Sequence, residues 1–93
     1  MSETKTTNLP ATQLRILLAH QGDAFHSVTW SPDSRMIATG SMDSNIRLWD
    51  MESGESVHTL EGHQGMVWSV AWSGDGRWLA SGADDLTVRV WDV

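Results

Sequence analysis

The stretch GSMDSNIRLWD, Gly40 to Asp50, returns as GADDLTVRVWD, Gly82 to Asp92. Internal repetition constrains a fold more than any single motif, because each copy must form the same supersecondary unit. A shift of 42 residues lays Trp91 on Trp49 and also pairs Val28 with Val70, Trp30 with Trp72, Asp33 with Asp75 and Arg35 with Arg77. Ala38, Gly40, Asp43, Arg47 and Asp50 meet identical partners, and most other pairs exchange like for like, as Thr39 with Ser81 and Ile46 with Val88. Upstream of Val28 the register slips by one, since His20-Gln21-Gly22 answers His63-Gln64-Gly65. The first copy therefore carries an extra residue within Asp23 to His26, which is expected to lie in a loop.

Each copy consists of short runs rich in Val, Ile, Thr and Trp between clusters of Gly, Asp, Ser and Pro, with no helical periodicity, so the fold class is all-β. In the second copy the expected strands are Val67–Trp72, Trp78–Gly82 and Thr87–Trp91, with turns at Ser73–Gly76 and Ala83–Leu86. Ser31-Pro32-Asp33-Ser34 sets Pro where a type I turn wants its fixed φ. After a turn at Met51–Gly54, Glu55–Leu60 supplies a fourth strand, and Gln13–Leu18 is its counterpart ahead of the first copy. Eight strands are thus expected, with the last copy lacking its fourth.

A chain of 93 residues without cysteine has a small core and no disulfide to reinforce it. Its net charge of −6 repels phosphate backbones and anionic membranes, so neither nucleic acid nor a membrane is an expected partner. The polar opening MSETKTTNLPATQ lacks the apolar core of a secretory signal. The expectation is a soluble, cytoplasmic protein.

These features resemble the WD40 repeat: Gly62-His63 (Ala19-His20 in the first copy), an Asp six positions before a Trp, and the closing pairs Trp49-Asp50 and Trp91-Asp92. The sequence departs from that pattern at Ala19 for Gly, Ser34 for the turn glycine and Gly74 for the turn proline. The resemblance implies two WD40-type four-stranded antiparallel blades, forming part of a β-propeller. The organisation read from it is a disordered tail at 1–12, an outer strand at 13–18, a first repeat at 19–60 and a second at 61–93 without its own outer strand.

The resemblance also implies a structural hydrogen-bond tetrad in each blade: His20, Thr39, Asp43 and Trp49, then His63, Ser81, Asp85 and Trp91. Trp Nε1 only donates, Ser or Thr passes a bond on, and Asp accepts from imidazole, so the set satisfies itself when buried. Ser, His and Asp also suggest a hydrolase triad. That reading needs an exposed nucleophile and an oxyanion hole, and Ser81-Gly82 does not complete a Gly-x-Ser-x-Gly elbow. No catalytic residue, cofactor or metal site is expected: the four histidines form no HExxH, and there is no Cys for a zinc set.

Two blades are fewer than the roughly three repeats needed for stability, and propellers close with about four to eight. The expected remedy is self-association: Gln13–Leu18 of one copy pairs with Thr87–Trp91 of the next, closing a head-to-tail ring. Eight blades from four chains are favoured over six from three, and a fragment of a longer propeller is the alternative. Partner contacts in this family concentrate on the rim, which places Asp23, Ala24, His26, Met42, Met66, Trp68 and Asp84 at the surface for an unidentified protein or peptide. Trp30, Trp72 and Trp78 are assigned to the core between blades. The expected function is a non-enzymatic interaction scaffold, against a hydrolase or small-ligand binder using the rim.

Overall fold

A computed structural model describes residues 24–93. The expected strand Gln13–Leu18, His20, Asp23 and the tail lie outside the described residues. Seven strands follow one another: β1 Phe25–Trp30, β2 Met36–Ser41, β3 Ile46–Asp50, β4 Ser56–Leu60, β5 Val67–Trp72, β6 Trp78–Ala83 and β7 Val88–Asp92. They form two antiparallel meanders, a four-stranded sheet β1-β2-β3-β4 and a three-stranded sheet β5-β6-β7, so β7 is an edge among the described residues.

The two sheets are built alike, pair for pair. Val28↔Thr39 and Trp30↔Ile37 in the first correspond to Val70↔Ser81 and Trp72↔Leu79 in the second. Both innermost strands carry a register shift at their start, between Phe25 and Ser27 and between Val67 and Ser69. The residue skipped in each is His26 or Trp68, as in a β-bulge that re-aims one side chain. Phe25 and His26 are therefore strand residues, and the loop expected across Asp23–His26 does not extend that far. Thr87, expected to open a strand, belongs to the preceding turn, where Asp85 Oδ1 accepts from its N–H at 3.0 Å.

The turns repeat as well. Ser34 N–H donates to Ser31 O and Gly76 N–H to Ser73 O, both at 2.9 Å. In each turn the aspartate, Asp33 or Asp75, accepts from the serine hydroxyl at 2.6 or 2.7 Å. Ser34 and Gly76 share a left-handed backbone, φ 62° and 76°, a region that disfavours every residue with a Cβ.

The core lies where β5 packs across β1 and β2. Ala38, Ile46 and Leu48 of the first sheet meet Val67, Val70 and Leu79 of the second, each buried. Gly40 permits the approach, because a Cβ there would stand 2.6 Å from Val67 Cγ1. Among the described residues, Val70 N–H donates across the seam to Ser27 Oγ at 3.2 Å.

Of the three tryptophans expected between blades, one lies at the seam that the described residues contain. Trp72 packs against the cluster, but Trp30 is 54% exposed and Trp78 37% exposed. The alternation of a strand explains this: Trp30 shares with Val28 the side of β1 turned away from β5, and Trp78 lies on the uncovered side of β6. There the Arg77 guanidinium covers the Trp78 ring, 4.5 Å from its centroid.

Candidate functional site

Two groups of side chains stand out, a buried polar network and an exposed cluster at one end of the strands. In the second sheet Trp91 Nε1–H donates to Ser81 Oγ at 2.8 Å, and Ser81 Oγ lies 2.7 Å from His63 Nε2. His63 Nδ1 lies 2.9 Å from Asp85 Oδ2. An ionised carboxylate only accepts, so Nδ1–H donates to Asp85, and the Ser81 hydroxyl donates a hydrogen bond to Nε2. Asp85 also accepts from the Thr87 hydroxyl at 2.6 Å and from Gln64 N–H at 2.9 Å. These bonds, the Thr87 hydroxyl foremost, hold its carboxyl well below the usual carboxylate range.

Thr87 is the member that sequence reasoning missed. Its position two residues after Asp85 is the spacing at which a carboxylate caps its own turn, so the signal was present. In the first sheet Trp49 Nε1–H donates to Thr39 Oγ1 at 3.0 Å, while Asp43 accepts from the Ser41 hydroxyl at 2.7 Å and from Asn45 N–H at 3.0 Å.

The chemistry available to this network is limited by access. Ser81 is 2% exposed and its oxygen already accepts from an indole, so it presents no free nucleophile to a substrate. Among the described residues no group of three or more His, Cys, Asp or Glu stands together as a metal site.

The exposed cluster is joined by its backbone. Met42 N–H donates to Ala24 O and, at the equivalent place in the second sheet, Asp84 N–H donates to Met66 O, each at 2.9 Å. Trp68, 49% exposed, donates through Nε1 to Asp84 Oδ1, and its ring lies 4.4 Å from the His26 imidazole of the neighbouring sheet. Met42 is exposed, whereas Met66 is half-buried rather than open to solvent. Thus Ala24, His26, Met42, Met66, Trp68 and Asp84 form one continuous edge.

Two stacked antiparallel meanders with the same register, the same bulge and a Trp-centred network define consecutive blades of a β-propeller. The chain belongs to the WD40 family: the model "WD domain, G-beta repeat" matches residues 11–50 and 54–92. It is 44% identical over 43 residues to the general transcriptional corepressor TUP1 of Saccharomyces cerevisiae, a match covering 46% of this chain and 6% of that protein. It is 50% identical over 42 residues to the F-box-like/WD repeat-containing protein TBL1X of Mus musculus, covering 44% of this chain and 8% of that one. Among solved structures, U3-55K and the RRP9 WD40 repeats each superpose with a TM-score of 0.80 at 31% identity, over 84% of this chain and 25% of theirs. The chain thus spans a small part of the length of the proteins it matches. WD40 repeats typically serve as protein-interaction scaffolds.

Proposed function

We propose that this chain is a non-enzymatic protein-interaction scaffold whose blades close into a homo-oligomeric propeller, four chains giving eight blades and three chains giving six as the second choice. The observation that carries the scaffold reading is the exposed edge around Trp68. Its half-open indole, with Met42 beside the equivalent turn of the first blade, is the residue chemistry enriched at interface centres. The buried state of Ser81 favours a fastening role for the network over a hydrolytic one.

The ring reading is supported by the contrast, among the described residues, between a four-stranded blade and a three-stranded one with β7 at its edge. Such an edge is ordinarily paired, covered or charged. In the ring, residues 13–18 of one copy add the missing strand beside β7 of the next, and the rim patch repeats around an axis, giving avidity for a protein or peptide. Size-exclusion chromatography with light scattering tests assembly: a mass of three or four chains is expected, and a folded single chain at micromolar concentration would overturn it. If the 93 residues are part of a longer propeller, the same edge and faces belong to neighbouring blades of one polypeptide.

A further inference from the structure

The two outer faces of the blade pair are unlike each other, and each matches one half of the seam already inside the chain. On the β1 side, Phe25, Val28 and Trp30 are all more than half exposed. They hold the positions that Val67, Val70 and Trp72 hold in β5, the residues that press into the first blade. On the far side, β7 exposes Val88 and Val90 beside a half-buried Ala80, the positions that Ile46, Leu48 and Ala38 hold where they receive β5. A largely apolar groove of about 390 Å³ lined by Ala71, Trp78, Ala80 and Val90 opens there.

Gly82 sharpens the match. Gly40, its equivalent, is hemmed in by Val67 and Val70 across the seam, whereas a Cβ on Gly82 would meet nothing within 4 Å. The space that a neighbouring blade fills at Gly40 is open at Gly82. Ser69 likewise stands where Ser27 accepts the hydrogen bond from Val70 N–H, and Val28 stands where Val70 donates it.

We infer that the β6–β7 face is a socket for the β1 face of a second copy of this chain, docked as β5 docks on the first blade, with Trp30 seated in the groove and Val28 N–H donating to Ser69 Oγ. The occupant is assigned because the chain carries both halves of a seam it already makes once. The contact is head-to-tail and never face to like face, since plug and socket are different surfaces. This inference rests on the self-association reading and specifies the surface that the ring would use, independent of any strand exchange at β7.

The test uses the 93-residue chain with Gly82→Val and with Trp30→Glu. Trp30 is exposed and a Cβ on Gly82 meets open space, so far-UV circular dichroism of each is expected to match the parent. Light scattering is expected to show the mass of each falling to a single chain. A mixture of the two is expected to give a one-to-one pair and nothing larger, because one partner keeps its plug and the other its socket. A second variant, Phe25→Cys with Gly82→Cys in this cysteine-free chain, keeps the question open to a readout that needs no loss of assembly. The equivalent Cβ positions, Gly40 and Val67, lie 3.1 Å apart, close to disulfide spacing, so oxidation is expected to link copies into a ladder ending at the ring number.

Parent assemblies whose mass is unchanged by Gly82→Val, with no cross-linking, would overturn the socket while leaving the ring. Open chains or pairs abolished by Gly82→Val would keep the socket and overturn the ring. A single-chain parent that does not cross-link would overturn both.

Discussion

His26 and Trp68 occupy the same bulged position in successive blades, and their rings meet across the seam at 4.4 Å with a 38° tilt. The bulge takes each side chain out of the strand's alternation, and both are exposed, so the contact lies at the surface rather than in the core. Trp68→Ala removes both this stacking and the bond to Asp84 from a half-exposed site. Circular dichroism is expected to show an unchanged fold, while capture of a protein or peptide partner, measured by titration calorimetry, falls at least tenfold. Loss of assembly instead would reassign Trp68 to the framework.

Ser81→Ala removes the partner of two groups at once, the buried His63 Nε2 and the half-buried Trp91 N–H. An unsatisfied buried polar group costs about 1–3 kcal/mol. Urea denaturation is expected to show a loss in that range, with Ser81→Thr recovering most of it because Thr39 occupies the equivalent place in the first blade. Equal stability of Ser81→Ala and the parent would remove the network from the account of what holds the blade together.

Asp85 has a folded-state pKa lowered by the Thr87 hydroxyl, the Gln64 N–H and His63. A depressed carboxylate contributes stability that is fully present above its unfolded value, about 3.9, and is lost as pH falls through the folded value. Melting temperature is therefore expected to be flat in this respect at neutral pH and to decline below about pH 4. Asp85→Asn is expected to lower the melting temperature at pH 7 and to flatten that acid decline; an identical acid profile would exclude Asp85 as its source.

Each blade holds half of a better turn. Ser34 pays a left-handed φ of 62° that Gly76 adopts freely, while Gly74 stands where Pro32 presets the chain. Ser34→Gly and Gly74→Pro are each expected to raise unfolding free energy by about 0.5–1 kcal/mol, the second through the unfolded state. Denaturant midpoints of the two single variants check this directly.

Gly40→Ala is expected to destabilise by about 1–3 kcal/mol, because its methyl would have to displace Val67 across the seam. Unfolding with full retention of stability would show that the two blades part easily.

The two blades and their strands follow from runs and turns that lie within one repeat, which is why pattern and spacing reveal them, whereas the Trp91–Ser81 link was legible through the resemblance to the WD40 repeat. The inner strand β5 was legible to the residue because its ends are marked by turns. Trp30 and Trp78 were not: a tryptophan's burial depends on what covers its face, and that is a property of the neighbouring blade rather than of the strand. Thr87 escaped for the opposite reason, as a local capping contact was read as the start of a strand. The bulge at His26 also lay beyond pattern, since Trp68 carries the same bulge in the second copy and the repeat stays in register through it.

The unlike faces of the blade give the repeat a direction. A tandem duplication of the 42-residue unit inserts a module already fitted at both of its borders, plug forward and socket behind. Propellers built this way can change their blade number by copying alone, without having to evolve a new surface at either join.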